Sequence, residues 1–66
     1  MKIGERIRKF REANNVKAVD LAKLLNVNLR TYYRYEKEER QISIYELIEL
    51  AKFYGESLDY FCGLED

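Results

Sequence analysis

Cys62 is the only cysteine and the chain has no histidine, so the side chains that most often do chemistry near neutral pH are reduced to one unassisted thiol. A thiol becomes a nucleophile when a neighbouring base or cation holds it as thiolate. With no imidazole to activate it, Cys62 reads instead as a small hydrophobe. The same absence removes the commonest general base and the commonest metal ligand. Carboxylates are plentiful but fall singly among Lys and Arg on helix-like surfaces, where they are ordinarily solvated. The sequence therefore predicts a protein that is not an enzyme and holds no metal or cofactor.

What remains is charge. Twelve Lys and Arg balance twelve Asp and Glu, but unevenly along the chain. Residues 1–42 carry eleven cations against six carboxylates, whereas residues 43–66 carry only Lys52 against Glu46, Glu49, Glu56, Asp59, Glu65 and Asp66. Such polarity can turn the basic end toward phosphates. The same charges also serve to solubilise a helical surface, and composition alone does not separate the two roles.

The elements that must position these charges are helices. Sixty-six residues make one small domain, and a chain of this size buries only about 60% of its unfolded surface. One cysteine excludes an internal disulfide framework. No signal-like N-terminal run and no apolar stretch of about 20 residues is present, which predicts a cytoplasmic protein without a membrane partner. Proline is absent, and apolar residues recur at helical spacing. Ile3, Ile7 and Phe10 mark a first helix over about 3–13, stopped by Asn14–Asn15, with Val16 as an apolar anchor. Leu21, Ala22 and Leu25 mark a second over 18–25, with Asp20 suited to its positive end. Asn26 breaks it and Val27 plugs into the core. Asn28 can cap a third helix over 28–38, with Tyr32 and Tyr35 inward. Ser43 and Glu46 form a capping box for a fourth over 43–54, whose expected buried face is Ile44, Leu47, Ile48, Ala51 and Tyr54. Ser57 can cap a fifth over 57–63, with Leu58, Phe61 and Leu64 inward. The expected fold is all-α, a compact five-helix bundle.

The segment from Ala18 to Lys37 meets the demands of two helices crossing steeply over a tight turn. Leu21 and Leu25 are apolar, Ala22 is small where the next helix passes, and Asn26 tolerates positive φ. Val27, Tyr32 and Tyr35 can fill the core from the turn and the following helix. With Ile3-Gly4-Glu5-Arg6-Ile7-Arg8, Phe10-Arg11-Glu12, Leu24-Leu25, Thr31, Arg34-Tyr35-Glu36, Leu50-Ala51-Lys52 and Gly55-Glu56-Ser57-Leu58-Asp59-Tyr60, this pattern resembles the lambda/Cro repressor-like helix-turn-helix family, also called XRE, over nearly the whole chain.

The resemblance implies a bacterial or phage transcriptional regulator, a repressor by expectation, with its third helix in the major groove of double-stranded DNA. The base-contact positions it implies are Asn28, Leu29, Arg30, Tyr33 and Arg34. Arg30 and Arg34 suit guanine N7 and O6 or a phosphate, Leu29 a thymine methyl, and Tyr33 a base or phosphate oxygen. Asn28 suits adenine or the helix cap. Lys17, Lys37 and Arg40 match phosphate contacts, and Arg11 with Glu36 matches a structural salt bridge. A homodimer on DNA is implied, with Tyr60, Phe61, Cys62 and Leu64 as its interface.

Four positions depart from the family pattern. Ala18, followed by Val19, stands where glutamine commonly contacts phosphate. Glu38–Glu39 follow the third helix where glycine is usual, and two carboxylates there would repel a phosphate. Asn15 and Asn26 replace two turn glycines, a conservative change. The first two departures leave Ala18, Val19, Leu29 and Tyr33 as a partly apolar surface. An exposed apolar patch marks protein contact, so the alternative expectation is a protein-interaction module on the same fold.

Overall fold

The computed structural model describes residues 2–64. Within them the chain forms five α-helices, α1 (Ile3–Ala13), α2 (Ala18–Leu24), α3 (Leu29–Glu36), α4 (Ile44–Tyr54) and α5 (Leu58–Phe61). The all-α expectation holds, and every expected helix is present. The first helix has its expected bounds and the other four are shorter, with α3, α4 and α5 each starting one residue later because the cap lies outside the helix. Asn28, Ser43 and Ser57 are N-caps in extended conformation, each side chain accepting the N–H three residues on. Glu46 returns the bond to the Ser43 N–H at 3.1 Å, completing the capping box. Lys17 begins α2 with no side-chain cap.

All five helices end in the same way. The residues Asn15, Asn26, Glu38, Gly55 and Gly63 take positive φ. The N–H of the following residue then reaches back five positions. Val16 bonds the Arg11 carbonyl, Val27 Ala22, Glu39 Arg34, Glu56 Ala51 and Leu64 Asp59, over 2.8–3.0 Å. These closures satisfy carbonyls that the last helical turn would otherwise orphan. Asn15 and Asn26 behave as their small polar side chains allow. Glu38, at φ 63°, adopts a conformation that favours glycine.

The core comprises Ile7, Ala18, Leu21, Ala22, Leu25, Tyr32, Tyr35, Ile42, Leu47, Leu50, Ala51 and Phe61, with Phe10, Val16, Val27, Tyr54 and Leu58 packed against it. Phe10, Tyr54 and Phe61 form its aromatic centre, with centroids 4.8–5.7 Å apart. The expected face of α4 needs correction. Leu50 is fully buried and Ile48 only half-buried, while Ile44 is 51% exposed. On a helical wheel the buried stripe is centred on Leu47 and Tyr54 and spreads toward Leu50, leaving Ile44 and Ile48 on its flank. Leu64 also departs from expectation. It lies beyond the end of α5 and is 77% exposed.

Candidate nucleic-acid interface

Helix α3 packs against α1 and α2. Tyr32 and Tyr35 are buried on its inner face, while Leu29, Arg30 and Tyr33 are exposed on its outer face with Arg34 partly so. Asn28 has a settled local role, its Oδ1 accepting the Thr31 N–H at 2.8 Å. Capping therefore occupies the acceptor that reading adenine would share. Arg30, Tyr33, Arg34 and Lys37 line one hollow of about 290 Å³ together with Glu39. Of the expected base-contact residues, three thus share a single concavity, and Lys37 joins them. Lys17 is exposed at the start of α2. Arg40 lies elsewhere, lining a cavity with Ile3, Tyr35 and Ile42.

The C-terminal end of α3 is fastened three times. Arg11 Nε and Nη2 donate to Glu36 Oε2 and Oε1 at 2.6 and 3.1 Å, a two-pronged ion pair with the Glu36 side chain only 4% exposed. The hydrogen bond to Glu36 raises the Arg11 guanidinium above its ordinary value, so its charge is fixed. The Tyr32 hydroxyl is buried beside this pair. Burial, and then the Glu36 carboxylate, push that phenol well above the usual tyrosine range. The second fastening joins α3 to α4, where the Tyr35 hydroxyl donates to Glu46 Oε2 at 2.9 Å. Burial and this bond raise the Tyr35 phenol, and nearby Arg40 opposes the shift.

The third fastening corrects an expectation about repulsion. The Glu38 carboxylate turns away from the outer face and accepts the N–H of Gly4 in the first turn of α1. It meets the positive end of the α1 dipole there, where a carboxylate is favoured. Gly4 has to be glycine for this approach. A Cβ at that position would lie 2.7 Å from the Glu36 carbonyl oxygen and collide with the Tyr35 carbonyl and the Glu38 carboxylate. Only Glu39 remains on the outer side with the cations.

Two further expectations change. Ala18 is buried, so of the expected partly apolar surface Val19, Leu29 and Tyr33 remain exposed. Phe61 is 1% exposed and belongs to the core, which removes it from any interface and leaves Tyr60 and Leu64 exposed with Cys62 half-buried. Burial, then Asp59, raise the Cys62 thiol above its ordinary value, the opposite of activation. Sequence reasoning missed Arg6. Its guanidinium donates to the Phe61 carbonyl at 3.1 Å and to the Tyr60 carbonyl, lies over the Phe10 and Tyr60 rings, and ties α1 to α5. The exposed α4 side chains Tyr45 and Phe53, which lie off the buried stripe, also went unremarked.

Comparison with known proteins gives this arrangement its context. The helix-turn-helix family model matches residues 7–61. The uncharacterised HTH-type transcriptional regulator YobD of Bacillus subtilis is 32% identical over 62 residues, covering 94% of this chain and 55% of YobD. A transcriptional regulator from Listeria innocua superposes with TM-score 0.87 at 29% identity, over 98% of this chain and 61% of that one. The P22 c2 repressor, solved in complex with a synthetic operator, superposes with TM-score 0.80 at 26% identity, over 98% of both chains. The chain thus spans little more than half of YobD. No helix among the described residues is long and apolar enough to cross a membrane. The fold, the turn and the matched residues together make the chain a member of the lambda/Cro-like, XRE helix-turn-helix family of DNA-binding transcriptional regulators, which is not an enzyme class.

Proposed function

We propose that this domain recognises double-stranded DNA sequence-specifically by laying α3 in the major groove, as a cytoplasmic regulator of the repressor type. One observation carries the reading. Arg30, Tyr33 and Arg34 share a single exposed hollow on a helix whose opposite face is buried and whose C-terminal end is fastened. Likeness over the full domain to a repressor solved on its operator supports it. Arg30 and Arg34 supply paired donors for guanine or phosphate, Leu29 supplies a surface for a thymine methyl, and Tyr33 supplies a hydroxyl. Lys17, Lys37 and Arg40 are the proposed phosphate contacts. A twofold dimer using Tyr60, Cys62 and Leu64 would set two copies of α3 one helical turn apart.

Selection of bound duplexes from a random library by the purified protein tests the whole reading, with enrichment of a palindrome as the expected result. Arg30→Ala and Arg34→Ala should each cost about 1–3 kcal/mol on the enriched site and relax its sequence preference. A well-folded protein that retains no duplex at low salt would sink the reading. A second reading rests on the exposed apolar side chains Val19, Leu29 and Tyr33. They suit a protein partner, and a complex abolished by Val19→Glu or Leu29→Glu with DNA absent would favour it.

A further inference from the structure

A second hollow, of about 520 Å³, runs between α1 and the C-terminal end of α3. It shares Tyr33 and Lys37 with the hollow that holds Arg30 and Arg34, so the two form one continuous strip leading from the outer face of α3 onto α1. Neither Lys17 nor Arg40 lines either hollow.

The strip is lined by charges of both signs, but they differ in what they already hold. Of its carboxylates, Glu36 is bound by Arg11, Glu38 accepts the Gly4 N–H, and Glu5 pairs with Lys9 at 3.5 Å. Glu39 lies in the hollow that holds Arg30 and Arg34, whereas in the hollow beside α1 each negative charge is thus partly or wholly compensated from within the domain. Lys2, Arg8 and Lys37 line the same hollow, and among the described residues no carboxylate stands within ion-pair distance of any of them. Lys2 and Arg8 are exposed along α1, and the Tyr33 hydroxyl adds a neutral donor. A concave surface such as this second hollow, with free cations and occupied carboxylates, is complementary to a polyanion.

We infer that Lys2 and Arg8, with Lys37, form a second phosphate-docking ridge that holds the DNA backbone on the α1 side of α3. This rests on the reading of α3 as a DNA-recognition helix. The ridge offers anchorage on the opposite flank from the start of α2, where Ala18 is buried and has no side-chain donor. It also gives the Glu38–Gly4 bond a consequence for the ligand, since the bond occupies a carboxylate of this hollow while leaving Lys37 free.

The experiment measures affinity against salt for a mixed-sequence duplex of about 20 base pairs and for an enriched site. The proteins are the wild type, Lys2→Ala, Arg8→Ala, the double variant and Arg8→Lys, with Lys52→Ala on α4 as a control. Each alanine should weaken binding several-fold on both duplexes alike and lower the log–log salt slope by about one unit. Arg8→Lys should restore most of the loss, and Lys52→Ala should change nothing. Both ridge side chains are solvent-exposed, so helical circular dichroism should be unaltered. Intact binding with an unchanged slope in the double variant overturns the ridge alone, as does a loss confined to the enriched site. Failure of the wild type to retain either duplex at low salt overturns the DNA reading, and the ridge with it.

Discussion

The two ends of α3 are built on opposite plans. Its N-terminal end is held locally by one cap, Asn28 to the Thr31 N–H, and presents Leu29 and Arg30 to solvent. Its C-terminal end is tied to α1 by Arg11–Glu36, to the first turn of α1 by Glu38–Gly4, and to α4 by Tyr35–Glu46. Such a helix is supported like a cantilever. Rigidity is concentrated at the end that meets α1 and α4, and solvent exposure at the end that carries Leu29 and Arg30. Changes at the fastened end should therefore alter stability first, and changes at the free end binding first.

The sharpest break is Glu36→Ala, which leaves the Arg11 guanidinium partly buried without its partner. Removing one member of a buried ion pair costs about 3–5 kcal/mol, and a fall of that size should appear in the denaturant midpoint. The double change Arg11→Ala with Glu36→Ala should cost clearly less than the sum of the two single changes. Gly4→Ala comes next. Its Cβ meets backbone rather than a flexible side chain, and overpacking of this kind costs about 1–3 kcal/mol. Glu38→Ala should lose about 1 kcal/mol, the usual worth of a helix cap. Glu38→Gly should lose less, because glycine relieves the positive φ.

At the free end, Arg30→Ala should leave stability within about 0.5 kcal/mol of wild type. That result would set its binding defect apart from any defect of folding. A last effect is with pH. Burial holds the Tyr54 phenol at about 12, against an ordinary value of 10. The folded protein therefore keeps this proton after the unfolded chain has released it. Stability should be undiminished below pH 10 and should fall as pH rises through 10 to 12, and Tyr54→Phe should flatten that fall.

Much of this plan was legible in the linear chain because its signals are local. The 3.6-residue spacing, the caps at Asn28, Ser43 and Ser57, and the turn residues Asn15 and Asn26 each act within a few positions. The helices followed from them, as did the outward aspect of Arg30 and Tyr33. The Arg11–Glu36 pair was legible only through family resemblance, since nothing local links residues 25 apart. The Glu38–Gly4 joint was hidden for a related reason. A glutamate in a polar loop suggests solvent, and only the three-dimensional approach of α3 to α1 gives its carboxylate an N–H to accept. Arg6 escaped notice because carbonyls at the end of a short helix carry no sequence signature. On α4, burying Leu50 in place of Ile44 turns the centre of the stripe by a modest angle that apolar spacing alone does not fix.

The Glu38–Gly4 joint also bears on how this sequence can drift. A side chain at position 4 requires the end of α3 to retreat, and a change at position 38 removes what the bare backbone of Gly4 was meeting. The two positions stand 34 apart, yet they should substitute as a pair or hardly at all. A residue in the first turn of α1 would then constrain inheritance at the tail of α3. A survey of paired substitutions among relatives would expose that dependence.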